Sequence, residues 1–119
     1  MKKLMLALVA GSLLLMPSAI AKDADCGQCS KTCDTTIKAI AKKGGKYESV
    51  AKLMKDCSKV CKLSDDMHGS QFEGKVAALC AEVCNKCATA CEELKDKSLQ
   101  NCIDECRKCE TSCKKMAAS

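Results

Sequence analysis

The chain has 119 residues, with 20 Lys plus Arg against 15 Asp plus Glu, 13 Cys, one Phe, one Tyr, no Trp and one Pro, which allows one domain at most. Lysines interleaved with acids, and almost no aromatic rings to stack on bases, exclude a nucleic-acid surface. With Phe72 and Tyr47 as the only aromatic residues, large apolar side chains are too few for an ordinary core, so cysteine has to be a main component of it.

The first element is a leader. Met1-Lys2-Lys3 is a basic n-region, Leu4 to Met16 an apolar run, and Ala19-Ile20-Ala21 a small-x-small cleavage pattern; together they predict a secretory signal peptide over residues 1–21. Cleavage after Ala21 leaves one domain, residues 22–119, whose 18 basic and 15 acidic residues give a net charge of +3. No twin arginine precedes the apolar run and no Cys follows the cut, which points to a Sec-type signal and a periplasmic or secreted protein without a lipid anchor. The run is too short for a membrane helix and ends in Pro17-Ser18, so no membrane association is expected after cleavage.

Four helices are predicted next, near residues 24–42, 46–63, 70–95 and 98–116, separated by breaks at Lys43-Gly44-Gly45, Asp65 to Ser70 and Asp96-Lys97-Ser98. The first carries Cys26, Cys29, Cys33, Ile37 and Ile40 at steps of three and four, and the second Val50, Met54, Cys57 and Cys61. The third opens on Ser70-Gln71-Phe72-Glu73, a capping-box pattern, and carries Val76, Cys80, Cys84, Cys87, Cys91 and Leu94. The fourth carries Leu99, Cys102, Cys106, Cys109, Cys113 and Met116. At this period the cysteines of each helix share an arc of roughly 60° and face inward. Acid-to-lysine pairs four apart, namely Glu48 with Lys52, Glu82 with Lys86, Glu93 with Lys97, Asp104 with Lys108 and Glu110 with Lys114, mark the solvated faces.

Short connections make sequential helices antiparallel neighbours, so the expected fold is all-α: an antiparallel up-down-up-down four-helix bundle with a cysteine-lined core. One pole then collects Cys26, Cys29, Cys61, Cys113, Met67, His68 and Met116, and the other sets Cys87, Cys91 and Cys102 against Ile37, Ile40, Val50 and Met54.

An exported chain with many cysteines is open to a disulfide-stapled reading, as a structural or interaction module. Against it, thirteen is odd, and six CxxxC pairs (29/33, 57/61, 80/84, 87/91, 102/106, 109/113) put both thiols on one face of one helix, where a bridge would be strained and staple nothing. Buried cysteine used merely as a small hydrophobe does not explain thirteen along one seam. Metal binding does. Each tetrathiolate zinc leaves about two negative charges in the core, whereas Cu(I) is soft, singly charged and held by two or three thiolates. A thiol that loses one proton and gains one Cu(I) leaves the core charge unchanged, so multiple ions per chain are expected. A two-thiolate ion needs sulfurs about 4.4 to 4.6 Å apart, and side chains four apart on a helix reach that spacing. An iron–sulfur reading of the C-x2-C-x3-C runs fails, since the ferredoxin run needs a further C-x2-C step and a proline in a loop.

The paired runs Cys80-x3-Cys84-x2-Cys87-x3-Cys91 and Cys102-x3-Cys106-x2-Cys109-x3-Cys113, with Cys26-x2-Cys29-x3-Cys33 and Cys57-x3-Cys61, resemble the four-helix-bundle copper storage proteins of bacteria over most of residues 24–116. The resemblance implies storage or sequestration of Cu(I) by core thiolates, chiefly through CxxxC pairs, with homo-oligomeric assembly in some members. All thirteen cysteines (Cys26, Cys29, Cys33, Cys57, Cys61, Cys80, Cys84, Cys87, Cys91, Cys102, Cys106, Cys109, Cys113) are candidate ligands. Met67, His68 and Met116 are candidates for a metal entrance, because thioether and imidazole are copper ligands. Exported members of the family can carry a twin-arginine signal and several Met and His at one mouth, whereas this chain has an ordinary leader and only these three residues there. Copper ions, and a protein that delivers or accepts them, are the expected partners. No enzyme is expected, since the lone His has no acid or nucleophile at a suggestive spacing.

Overall fold

Two glycines decide where the first helix stops. Gly44 and Gly45 take φ of 61° and 51° in succession, a left-handed pair that side chains with a Cβ rarely adopt. The chain reverses there, with Tyr47 and Glu48 donating to the carbonyls of Gly44 and Gly45 at 3.0 and 3.1 Å. The structure, a computed structural model, describes residues 18–119, with side chains from Cys26 onward. Its helices are α1 (Ser18–Ile40), α2 (Tyr47–Asp66), α3 (Glu73–Leu94) and α4 (Gln100–Ala118), with a 3₁₀ turn at Lys97–Leu99 before α4. The n-region and apolar run of the predicted leader lie outside the described residues, whereas Ser18 to Ala21 belong to α1. No described helix is long and apolar enough to cross a membrane.

Each helix packs against two others, α1 on α2 and α4, and α3 on α2 and α4. With short connections throughout, this is the expected antiparallel up-down-up-down four-helix bundle. The pole holding the α1–α2 and α3–α4 connections is tied by Asp96. Its carboxylate accepts hydrogen bonds from Tyr47 Oη at 2.7 Å, Lys43 Nζ at 3.0 Å and the Ser98 amide at 2.9 Å. Lys95, at φ 54°, ends α3 in the left-handed conformation that closes many helices.

The other pole differs from expectation. The capping box does not form: Ser70 Oγ accepts from the Phe72 amide at 3.0 Å, and α3 starts only at Glu73. The carboxylate of Glu73 goes instead to His68 Nδ1 at 2.6 Å. Helix α2 runs on to Asp66, three residues past its expected end, and the turn at Gly69 (φ 87°) fits the reversal into fewer residues.

All thirteen cysteines are buried, none more than 2% exposed. The larger apolar side chains of the core, Ile40, Val50, Met54, Leu99 and Ile103, belong to the Asp96 pole. Phe72 is 51% exposed and contributes little to the core. On the outer faces Glu82–Lys86 and Glu110–Lys114 pair as expected, at 3.8 and 3.0 Å. Lys108 turns to Glu105 at 3.6 Å rather than to Asp104, which accepts from Gln100 at 2.9 Å. Lys97 lies beyond the end of α3, so it has no helical i, i+4 relation to Glu93. Glu110 departs most from a solvated role: it is only 8% exposed, between Arg107 at 3.0 Å and Lys114.

Candidate metal centre

The inward stripes of four helices meet on one axis, and the thiols form a continuous row along it. Four groups of four sulfurs each lie within 4.8 Å of one another. From the His68 pole inward they are Cys26, Cys80, Cys109 and Cys113; then Cys29, Cys61, Cys84 and Cys109; then Cys29, Cys33, Cys57 and Cys106; then Cys33, Cys87, Cys102 and Cys106. Consecutive groups share members. Cys109 joins the first to the second, Cys29 the second to the third, and Cys33 with Cys106 the third to the fourth. Twelve of the thirteen cysteines are included; Cys91, one turn beyond Cys87, lies past the last group.

Pairs within one helix are not privileged in this row. Cys57–Cys61, Cys80–Cys84 and Cys109–Cys113 stand 3.8 to 3.9 Å apart. Contacts across helices are as short or shorter: Cys61 lies 3.5 Å from both Cys84 and Cys109, and Cys26 lies 3.2 Å from Cys109. Further contacts join Cys29 to Cys106 at 3.8 Å, Cys33 to Cys102 at 4.0 Å and Cys57 to Cys84 at 3.7 Å. With a metal–sulfur bond of about 2.3 Å, three sulfurs around one ion stand about 4.0 Å apart, so the contacts of 3.7 to 4.0 Å suit three-thiolate sites. Sequence periodicity located every thiol. Sharing between facing helices was expected, but which thiols meet was not, since that depends on the relative height and rotation of the helices.

All thirteen are free thiols. In Cys29, Cys57, Cys102, Cys106 and Cys109 burial pushes the thiol pKa up, and S–H···S hydrogen bonds then divide these five. Cys106 and Cys109 are held far above the usual thiol range, Cys106 first by its bond with Cys102 and Cys109 first by its bond with Cys113. Cys29, Cys57 and Cys102 are drawn well below it, each first by Cys106. Protons in the row are therefore shared between neighbouring thiols rather than held one by one.

At the His68 pole a narrow crevice is lined by Cys26, Ser64, Asp65, His68 and Met116. Two of the three expected entrance residues are thus brought to the first thiol. Met67 is not among the lining residues; its amide donates to Leu63 O at 2.9 Å at the end of α2. Ser64, whose Oγ lies 4.0 Å from Cys113 Sγ, was missed at the sequence level, although it continues the stripe of Val50, Met54, Cys57 and Cys61 by one step.

The donor set contains only soft sulfur along the axis, which fits a soft, monovalent cargo. A family model described as "Copper storage protein" (Csp) matches residues 18–118. A crystal structure of a protein from Nitrosospira multiformis is similar at 34% identity and a TM-score of 0.76, covering 83% of this chain and 94% of that one. A comparison with curated proteins finds no match. With its bundle, its buried thiol row and a family match over residues 18–118, the chain belongs to the copper storage protein family.

Proposed function

We propose that the protein stores or sequesters copper as Cu(I), many ions per chain, on thiolates of all thirteen cysteines. The observation that carries this reading is the sharing of Cys29, Cys33, Cys106 and Cys109 between neighbouring groups. No more than two of the four groups are free of common members, so a divalent ion demanding four thiolates of its own fills two of them at once. Bridging sulfurs remove that limit for Cu(I). Each ion displaces one proton, and the core gains no charge while it fills.

An arriving ion is caught at the crevice edged by His68 and Met116 and moves to Cys26. Weak neutral donors at a mouth favour transfer, because an ion held there loses little when it passes to thiolates. From Cys26 it advances by exchange between sulfurs less than 4 Å apart. CxxxC pairs take part as members of shared groups, alongside their cross-helix neighbours. The leader expected over residues 1–21 supports placing this work in the periplasm or the exterior. Copper leaves to a soft-donor acceptor, and the role is binding rather than catalysis.

X-ray absorption on the loaded, reduced protein tests the shared-sulfur arrangement. The expected spectrum has sulfur-only coordination with short Cu–Cu scattering. Isolated ions without Cu–Cu scattering would contradict it.

A further inference from the structure

At each end of the row the last thiol is buried but lines a surface depression, Cys26 at one pole and Cys91 at the other. At the Asp96 pole α1 and α2 contribute no cysteine beyond Cys33 and Cys57, and Ile40, Val50, Met54 and Leu99 fill the space between the helices. On the α3–α4 side the row continues. Cys91 lies one turn past Cys87, with thiol partners in Cys102 and Cys87. It is 1% exposed, yet with Lys95, Asp96, Gln100 and Ile103 it lines a surface cavity of about 220 Å³ beside the α3–α4 connection. That connection is kept short and held to one side. Lys95 turns back in the left-handed conformation, and the Asp96 carboxylate is engaged by Tyr47, Lys43 and Ser98.

We propose that Cys91 is a second port for Cu(I), at the pole opposite the His68 mouth. The proposal rests on the row carrying Cu(I). An ion at Cys91 has fewer sulfurs around it than any ion further in, since the four-thiol groups stop at Cys87 and Cys102. It therefore has coordination space for an outside ligand. Exchange there is ligand substitution: the acceptor's donor atoms bond to Cu(I), the Cys91–Cu bond breaks, and the Cys91 sulfur takes up a proton from water. No electron moves. The His68 crevice and the Cys91 cavity then act in parallel, and their rates add.

The test fills the crevice and the cavity from exposed positions and times removal of copper. Gln100→Trp narrows the Cys91 cavity and His68→Trp the opposite crevice; both positions are exposed, so the bundle core is untouched. The full chain is loaded anaerobically with Cu(I) and mixed with excess bicinchoninate, and wild type, both single variants and the double variant are compared. Closing one of two comparable routes should slow removal by about twofold, and closing both should slow it much further. Gln100→Trp should keep its Cu(I) capacity. If wild type and Gln100→Trp hold many ions but release them at the same rate, and the double variant releases no more slowly than His68→Trp alone, the second port is overturned while the storage reading stands. If wild type holds only one or two ions, the storage reading fails and the port with it.

Discussion

At the Asp96 pole, Ile40, Val50, Met54 and Leu99 occupy the centre of the bundle, and a hydrogen-bonded carboxylate ties two connections together. At the His68 pole Cys26, Cys80, Cys109 and Cys113 occupy the same central space, with a narrow crevice alongside. The same four helices thus end on one side in aliphatic side chains set beside the α3–α4 thiols Cys87, Cys91 and Cys102, and on the other in thiols alone. Buried aliphatic area stabilises at about 25 cal/mol per Å² whether or not cargo is present. A thiol offers less area and acquires its full interaction energy only as a metal thiolate. On the proposed function, the Asp96 pole should keep the empty protein folded and the His68 pole should become rigid as it fills. Local opening in the empty state should therefore concentrate at the His68 pole.

Loading should produce the largest effect on this contrast. A ligand at about a thousand times its dissociation constant adds about 4 kcal/mol per site, and a domain of this size gains about 4 to 8 °C per kcal/mol. The melting temperature of the reduced protein should rise by about 20 °C or more with Cu(I). Equal melting points for empty and loaded protein would erase the distinction between the poles.

Next in size is a pair of substitutions. Met54→Ala removes a fully buried side chain from the aliphatic pole and should destabilise the empty protein by about 2 to 5 kcal/mol. Cys113→Ala, at the other pole, should cost much less when empty and more when loaded. Urea unfolding of both variants, with and without Cu(I), measures this directly. Equal costs in the empty state would break the comparison.

The entrance gives a kinetic effect. Met67→Ala combined with His68→Ala should slow loading in stopped-flow mixing at unchanged capacity. Because His68 lines the mouth and Met67 does not, His68→Ala alone should account for most of the change. Unchanged rates would return both residues to an ordinary loop.

The smallest effect concerns Asp96. Its carboxylate is held below the usual range, first by the Tyr47 hydroxyl, then by Ser98 and Lys43. A depressed folded-state pKa contributes stability above the unfolded value of about 3.9 and loses it as pH falls through the folded value. Asp96→Asn should therefore melt slightly lower than wild type at neutral pH, and the gap should close on acidification below about pH 4. A gap independent of pH would show that the carboxylate charge is not what ties this pole.

Periodicity is local, so the stripes carried the helices and the inward face: Cys29, Cys57 and Cys106 were expected in the core and are fully buried there. Helix height and rotation are not local. From spacing alone Cys57 is the natural partner of Cys61, whereas in the bundle Cys84 and Cys109 lie nearer. Glu73 fitted a capping box by spacing, but the turn at Gly69 brings His68 within reach of its carboxylate. Glu110 read as a surface partner of Lys114, and only the α3–α4 packing makes it a nearly buried one. The Cys91 cavity has no signature in the α3 stripe, where Cys91 is spaced like its neighbours; it arises from how the α3–α4 connection folds back.

The central claim is that overlapping thiol groups let the row hold more ions than separate sites would. The direct measurement is anaerobic titration of the reduced protein with Cu(I) against a strong chelator, beside a titration with zinc. The account predicts Cu(I) bound in numbers approaching the 13 cysteines and zinc stopping near the two groups that share no thiol. Saturation by one or two Cu(I), or equal numbers of the two metals, would contradict it.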